Sequence, residues 1–511
     1  MTDKPTLLFE GTEWTFDRMR ATYDAIEAVA KDDLGLDVYP NQIEVISSEQ
    51  MLDAYSSIGM PLMYPHWSFG KHFAREEQMY RKGYTGLAYE IVINSNPCIS
   101  YNMEENTMAL QALVMAHAAF GHNHFFKNNY LFRQWTNADT ILEYLDFAKK
   151  YVARCEERYG QAAVEEILDA AHAIMDHGVF RYRRPPRLNQ ETRDERRRER
   201  DEFVRQSYRD IWRTVPGRRA DEEPDEVDID EIVTRRDLKL PEENLLYFFE
   251  KHSPVLKAWQ REILRIVRNI AQYYYPQKQT KVMNEGCATF VHYYICNALY
   301  EKGLLTEGAM LEILHSHSNV VFQPEFDDRR YSGLNPYALG FAMMQDIRRI
   351  CEDPKPEDRE WFPDFAGSGD WRAVLKDAWA NYRDESFIRQ FLSPNLIRKL
   401  RLFVLLDDAR QSHFTVTDIH DERGYRKVRE ALAGSYDIAM LDPDIQVVDA
   451  NLKGDRRLRL EHVMHNGIPL VEEARDEVLK HIHRLWGYGV TLTGVDRVSG
   501  EKRYETSINL N

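Results

Sequence analysis

An apolar run that contains three histidines constrains the fold of this chain more than any other feature. Residues 105–127 read as one helix, and the segment AHAAFGHNHFF within it places His117, His122 and His124 among alanine, glycine and phenylalanine. A helix that is apolar on all its faces is predicted to be buried. The run therefore indicates a metal-binding hydrolase helix, the remnant of one, or an ordinary core helix that carries histidines.

The spacing of the histidines limits which of them can share a metal ion. His117 and His124 share a face of a straight helix but lie about 10 Å apart along its axis, which is too far for one ion. His117 and His122 are five residues apart, which places them about 140° apart around an ideal α-helix. A π-bulge would bring these two onto one face, and Gly121 would ease the distortion. We therefore predict an i→i+5 irregularity between residues 116 and 123.

The helix is similar to the metal-binding helix of zincin peptidases but lacks their general base. In the motif H-E-x-x-H, two histidines stand at i and i+4, and the glutamate acts as the base. When the motif is aligned on His122, this chain has Ala118 at the first histidine and Ala119 at the glutamate. Many zincins take a third ligand from a later helix, and Glu285 in MNEGCATFVHYY is predicted to open such a helix. A predicted hairpin before the histidine helix also suits a zincin-like arrangement.

These residues predict a metal site with His117, His122 and Glu285 as ligands. Imidazole and carboxylate groups bind divalent metals, and zinc is the first choice for this set. Glu105, at the mouth of the histidine helix beside Glu104, is the nearest acid that could act as a catalytic base. Because the glutamate of H-E-x-x-H is missing, a catalytically inactive relative and satisfied core histidines stay open as alternatives, and so does the question of whether the protein is an enzyme.

A second pattern, on a later helix, gives a weaker prediction of a di-iron site. Asp169 and His172 stand at i, i+3, which is the spacing of the carboxylate–histidine pairs in ferritin-like di-iron bundles. Glu157 and Glu285 would have to converge on them. The scheme needs a second carboxylate–histidine pair, which the sequence lacks, so an Asp–His pair at the surface is the favoured interpretation.

Three further residues are predicted to be structural. His315 and His317, in LHSHSN, follow a helix and are interpreted as its polar end. Cys287 has no neighbouring base in the sequence and is interpreted as a buried thiol. None of the three is therefore predicted to take part in chemistry.

Composition argues against several classes of protein. The net charge of −16 argues against general binding to nucleic acid or to anionic membranes. The five cysteines are scattered and form no CxxC motif, which indicates reduced thiols in a cytoplasmic protein. No apolar run is long enough to cross a membrane, and the N-terminus lacks the apolar core of a signal peptide, so we expect no membrane span.

The order of predicted elements divides the chain into two domains and an insert. Residues 1–180 and 242–398 are predicted to form a large, mainly α domain with a small β-hairpin at 87–102. Residues 181–241 are charge-dense and poor in apolar residues, which predicts a solvated insert or linker. Alternating β-rich segments and two helices follow, so 399–511 is predicted to be an α+β domain with a mainly antiparallel sheet.

Several long segments resemble a known family. They are VINSNPCISYNMEENTMALQALVMAHAAFGHNHFFKNNYLFRQWT, CEERYG, LPEENLLYFFEKHSPVLKAWQREILRIVRNIAQYYYPQKQTKVMNEGCATFVHYY, LHSHSNVVFQP and SGLNPYALGFAM. On these segments the chain is identified as a member of the stage V sporulation protein R (SpoVR) family, which includes the YcgB proteins of enteric bacteria. One departure is Cys287, which stands where the family pattern NEGWATF has tryptophan.

The resemblance implies a cellular role but no mechanism. It implies a cytoplasmic bacterial protein associated with spore cortex formation or with stress and starvation physiology. It also implies two partners, a PrkA-type serine kinase and a YeaH/YhbH-type protein. Two functions stay open: a metal-dependent hydrolase that acts on a peptide or amide bond, and a non-enzymatic adaptor for these partners in which any metal is structural.

Overall fold

The computed structural model shows a mainly helical protein with small sheets, which confirms the predicted fold class. It describes residues 6–56, 63–67, 90–181, 238–326, 328–406, 415–418, 421–452, 454–465 and 467–509. Nearly all of the predicted charged insert lies outside these ranges.

A three-stranded sheet lies beside the histidine helix. The elements up to this point are α1 (Phe16–Ala28), which continues as a π-helical turn at Val29–Asp33, β1 (Asn41–Ile46), α2 (Ser48–Ser56), β2 (Glu90–Ile93) and β3 (Cys98–Met103). The strand order is β1-β3-β2, with β1 parallel and β2 antiparallel to β3. The predicted hairpin is confirmed as β2–β3, whereas the sequence does not predict β1. The edge strand β2 contacts the histidine helix.

The histidine helix is continuous and has a π-helical middle. It consists of α3 (Met108–Val114), the π-helix (Met115–His122) and α4 (Asn123–Asn128). Thr107 precedes it as the N-cap, because its side-chain oxygen accepts the backbone N–H of Leu110. The predicted i→i+5 irregularity between residues 116 and 123 is confirmed.

Helices of very different lengths complete the N-terminal region. In chain order they are α5 (Tyr130–Trp135), α6 (Ile141–Tyr159), α7 (Gln161–Ala173) with a 3₁₀ turn at Met175–His177, α8 (Leu245–His252), α9 (Ala258–Gln279), α10 (Lys281–Glu301), α11 (Glu307–Val320), α12 (Pro336–Glu352), α13 (Pro356–Trp361), α14 (Trp371–Asn381), α15 (Asp384–Phe391) and α16 (Pro394–Lys399). Gly160 ends α6 with a φ of 88°, a positive value that glycine adopts readily.

Helix α10 is buried on most sides and contacts the π-helix, α12, α11 and α1. Two glycine contacts allow these close approaches. A Cβ atom on Gly121 would lie 2.5 Å from Ala288 Cα, and one on Gly286 would lie 2.6 Å from Gly340 Cα. Gly121 has no left-handed backbone conformation, so the structure requires it for the close packing of two helices rather than for the shape of the π-helix.

A buried carboxylate caps the first turn of α10. The backbone N–H groups of Val282 and Met283 donate to Asp384 at 2.8 and 2.9 Å. Burial raises the pKa of Asp384 to about 7, although these two hydrogen bonds lower it. The cap satisfies two of the N–H groups that the start of a helix leaves open, and it fixes the position of the residues that follow.

The C-terminal region confirms the predicted α+β arrangement. Its elements are β4 (Val404–Leu406), β5 (Thr415–Asp418), α17 (Glu422–Gly434), α18 (Ile438–Leu441), β6 (Asp444–Ala450), β7 (Leu458–Met464), α19 (Glu472–Trp486), β8 (Val490–Asp496) and β9 (Lys502–Ile508). The larger sheet has the order β6-β7-β8-β9, with a parallel pairing of β7 with β8 and antiparallel pairings on either side. The sequence does not predict the edge strand β9.

Two hydrophobic clusters cross the predicted boundary at residue 399. Tyr425 and Val428 of α17 belong to the same cluster as the histidine helix and α10. Leu460 of β7 and Trp486 of α19 belong to a second cluster with α6, α7 and α9. The division into domains stays a prediction, and the shared clusters mean that C-terminal elements bury apolar surface against N-terminal helices.

Substitution of Gly340 by alanine tests the contact between α10 and α12. A Cβ atom there would lie 2.2 Å from the Val282 carbonyl oxygen, so the helices must separate. In urea denaturation we expect Gly340→Ala to lose about 1–3 kcal/mol of unfolding free energy, the usual cost of overpacking. Gly434→Ala is the matched control, because nothing lies within 4 Å of its Cβ position. Equal stability of the two variants would contradict the close contact.

Candidate metal centre

The π-helix turns two histidines toward the same point. The ring centroids of His117 and His122 are 4.7 Å apart, and the ring planes are inclined by 86°. Glu90, the first residue of β2, places Oε1 3.4 Å from His117 Nε2. Ligand atoms of Glu90, His117 and His122 all lie within 4.8 Å of one another, and no other three such side chains in the described part of the chain do so. The structure thus brings the predicted histidine pair together and adds a carboxylate that the sequence analysis missed.

Glu285 approaches the same histidines from α10. Its Oε2 atom lies 3.5 Å from His122 Nε2. This oxygen is buried and has no hydrogen-bond partner among the described residues, a condition that a metal ion would relieve. Because α10 begins at Lys281, Glu285 lies in the second turn of the helix rather than at its opening. Glu285 is therefore next to the predicted histidine ligands, although it stands outside the group of three formed with Glu90.

A side-chain amide orients His122. The Oδ1 atom of Asn284 lies 2.9 Å from His122 Nδ1. An amide oxygen can only accept, so Nδ1 carries the hydrogen and Nε2 keeps its lone pair. That lone pair is on the side of the ring that faces Glu285. The tautomer that binds a metal through Nε2 is therefore the one that the surroundings favour.

Two further histidines extend the cluster behind His117. The Nδ1 atoms of His117 and His292 are 2.8 Å apart, and His292 Nε2 lies 2.9 Å from His317 Nδ1. Both added histidines are buried. The interpretation of His317 as a polar helix end is therefore wrong, because packing of α11 against α10 encloses its ring. His315 is exposed, as a residue at a polar helix end should be.

The surroundings favour uncharged forms of two central groups. Burial, and after it the charge of Glu285, raises the pKa of Glu90 to about 8. Burial, and after it the neighbouring His122 and His292, lowers the pKa of His117 well below its ordinary value. Neutral imidazoles are the forms that bind metals, and a divalent cation would balance two carboxylates. This donor set therefore fits a divalent ion such as Zn²⁺.

The acids predicted at the mouth of the histidine helix are placed differently. Glu105 is exposed, and its carboxylate accepts the backbone N–H of Ser48 at 3.3 Å. The backbone carbonyl of Glu104 accepts the indole N–H of Trp14. Neither belongs to the group of ligand atoms around His117. The carboxylate that stands beside that histidine comes instead from strand β2.

Asp169 and His172 lie in a separate polar cluster. Tyr64 Oη is 2.6 Å from His172 Nε2. Asp169 Oδ1 is 3.1 Å from His66 Nε2 and accepts the indole N–H of Trp67 at 2.6 Å. The interpretation of Asp169 and His172 as a simple surface pair is therefore wrong, because residues 63–67, which include Tyr64, His66 and Trp67, pack on both side chains.

The carboxylates of the di-iron scheme do not converge. Glu157 is exposed on α6, and Glu285 lies at His122. Asp169, on α7, contacts His66 and Trp67 instead. The i, i+3 spacing was thus a local coincidence, since a di-iron site requires side chains from several helices to meet at one point.

Cys287 is a buried thiol, as predicted. It lies in the core, and its Sγ atom is 3.8 Å from the Gly121 carbonyl oxygen. Burial raises the pKa of this thiol well above its ordinary value, which argues against a nucleophile. Because the side chain lies between α10 and the π-helix, the residue at this position influences how closely the two helices approach.

Comparison with known proteins agrees with the resemblance seen in the sequence. The family model for SpoVR like protein matches residues 13–441, and the model for the SpoVR-like C-terminal domain matches residues 443–497. The chain belongs to the SpoVR family. It is 55% identical over 492 residues to the uncharacterized protein YcgB of Escherichia coli (strain K12), which covers 96% of this chain and 94% of that protein.

None of these comparisons indicates a biochemical activity for the family. No solved structure matches the chain. The relative in Escherichia coli is itself described as uncharacterized. Within the described residues, no helix is long and apolar enough to cross a membrane. Support for any chemistry of the SpoVR chain therefore comes from the geometry of the site itself.

The sequence holds weak signals for the residues that the analysis missed. Glu90 is the acidic residue at the start of the apolar strand EIVI, where a charged side chain is unusual. His292 follows Glu285 by seven residues, so the two share a face of α10. Neither pattern specifies a partner, because the partners lie on elements that are distant in the sequence.

His172 provides a test of stability against pH. Burial, and after it His66, lowers the pKa of His172 to about 4 from an ordinary value of 6.5. Its contribution to stability is therefore complete above pH 6.5 and is lost as the pH falls toward 4. Between pH 7 and pH 5, we expect the wild type to lose about 1–2 kcal/mol more unfolding free energy than His172→Gln in urea denaturation. Equal losses in both proteins would contradict a buried, neutral His172.

Proposed function

We propose that this SpoVR-family protein is a metal-dependent hydrolase that acts on a peptide or amide bond. A divalent ion, with zinc as the first choice, would be held by His117, His122 and Glu285. The observation that carries the proposal is the π-helix, which places both imidazoles on one face beside a buried carboxylate oxygen without a hydrogen-bond donor. Such helical distortions are rare and cluster at functional sites.

Glu90 takes the acid–base role in this proposal, in place of Glu105. A bound metal would polarise the scissile carbonyl and lower the pKa of a coordinated water. Glu90 lies beside His117, with 18% of its side chain exposed against 4% for the histidine, so it is the more accessible of the two groups. The charge of a bound cation would favour the ionised carboxylate of Glu90. That carboxylate would take a proton from the water as the water oxygen bonds to the carbonyl carbon, and would give the proton to the nitrogen as the C–N bond breaks.

One observation supports a second function, that of an adaptor with a structural metal. Glu90 is close enough to both histidines to be a ligand itself. Together with Glu285 it would close the site with four protein ligands, which is typical of structural zinc. The protein would then serve as a cytoplasmic partner of a PrkA-type serine kinase and a YeaH/YhbH-type protein, in spore cortex formation or in stress and starvation physiology. The unpaired, buried cysteines are compatible with a cytoplasmic location.

Metal content tests both functions at once. Full-length protein purified without a histidine tag should contain a stoichiometric divalent metal by elemental analysis. His122→Ala and Glu285→Gln should each lose most of it, since each removes one of the few ligands. His315→Ala is the control, because this histidine is exposed and lies on α11. A metal-free wild-type protein, or full occupancy in His122→Ala, would remove the basis of the proposal.

Glu90→Gln separates the hydrolase from the adaptor. If Glu90 is the base, the variant keeps its metal and loses about 100-fold or more of its activity, which complementation of a deletion strain reports. If Glu90 is a ligand, metal and complementation fall together. Glu105→Gln is the matched control and should keep both, because Glu105 is exposed beside Ser48. Full complementation by both Glu90→Gln and His122→Ala would reject metal-dependent catalysis and favour partner binding.

A further inference from the structure

Helix α10 supports both histidines of the π-helix. Asn284, near its start, accepts from His122. His292 lies eight residues further along, and its ring contacts His117. Because Glu285 and His292 are seven residues apart, they stand on one face of α10, about 10 Å apart along its axis. One rigid helix therefore carries the partner of each imidazole.

The hydrogen on His117 is on the side that faces α10. The backbone of Ala288, one turn before His292, makes a hydrogen bond to the His117 ring, and this bond partly offsets the lowering of the ring's pKa by burial. A carbonyl oxygen can only accept, so the ring nitrogen on that side is a donor. Of the two ring nitrogens, Nδ1 is the one that faces α10, because it is 2.8 Å from His292 Nδ1, whereas Nε2 faces Glu90 of β2. Nε2 of His117 is then the atom with a free lone pair, and it lies toward Glu90.

The hydrogen bonds along the chain of histidines must then run in one direction. His117 Nδ1 donates to His292 Nδ1, which leaves the hydrogen of neutral His292 on Nε2. His292 Nε2 in turn donates to His317 Nδ1, 2.9 Å away. The aromatic rings of Tyr293 and Phe341 hold the His317 ring in place, each with its centroid 4.8 Å from it. Reversal of any link would put the hydrogen of His117 on Nε2 and block it as a ligand.

We propose that His292 is a positioning residue that, together with the Ala288 carbonyl, holds His117 in the tautomer with Nε2 free for the metal, and that His317 holds His292 in turn. The inference rests on the proposed metal centre and extends it beyond the atoms that touch the ion. The group that accepts the N–H of a metal-binding histidine is usually a carboxylate, a backbone carbonyl or a water molecule. Here a neutral imidazole accepts the hydrogen of the metal-binding histidine. Unlike a carboxylate, it adds no further negative charge to a buried site that already contains Glu90 and Glu285.

The test is metal affinity in the full-length protein. Apoprotein is titrated with Co²⁺, followed by its visible absorption, and with Zn²⁺ against a competing chelator. His292→Leu removes the acceptor, and we expect it to weaken binding about 10–100-fold and to alter the Co²⁺ spectrum. His292→Asn keeps an acceptor near the position of Nδ1 and should restore most of the affinity. Thr289→Val is the control on the same helix, because its buried hydroxyl has no hydrogen-bond partner among the described residues.

Each outcome has a separate meaning. If His292→Leu binds both metals as tightly as the wild type, His292 has no positioning role, although the metal centre itself stands. Equal weakening in His292→Leu and His292→Asn, with a normal Thr289→Val, would also overturn the proposal, because the acceptor would not matter. If His292→Leu does not fold, His317→Leu replaces it and should weaken binding by a smaller factor; unchanged affinity would then reject the relay. A wild type that binds neither ion rejects the proposed function and this inference together.

Discussion

The close packing of the π-helix on α10 is the contact on which the site depends. Gly121 lies against Ala288 so closely that a methyl group between them would overlap backbone atoms. At this separation, Asn284 and Glu285 reach His122, and His292 reaches His117. Asp384 fixes the start of α10, and Gly286 lets α12 support it from the other side. A small change in side-chain volume where the π-helix packs on α10 would therefore move the hydrogen-bond partners of both His117 and His122.

Burial of so many polar groups in one place has an electrostatic consequence. Glu90 and His117 are both shifted toward their neutral forms because the surroundings solvate charge poorly. A divalent cation would reverse this balance at Glu90 and would bind the His117 imidazole in the neutral form that its surroundings favour. The same groups are less costly to bury when a metal is bound, so metal binding and stability are expected to be linked. This linkage holds for a catalytic and for a structural metal alike.

Local patterns in the sequence predicted much of the fold. The hairpin, the histidine helix and most of the C-terminal strands follow from periodicity and turn residues, which act over a few neighbours. The strands β1 and β9 were missed, since both are edge strands in which apolar alternation is weak. Asp169 and His172 were misread because their partners, Tyr64 and His66, are distant in sequence and show no common pattern with them.

The sequence by itself determined the family and the five-residue spacing of His117 and His122. That spacing predicted the π-helix, because an extra residue in the turn places both histidines on one face. Only the tertiary structure decided which groups complete the site. Glu90 comes from an edge strand, and His292 and His317 come from two later helices. Their convergence depends on how strands and helices pack. Packing brings together residues that are far apart in the sequence, and at such separations no periodic pattern indicates which residues will meet.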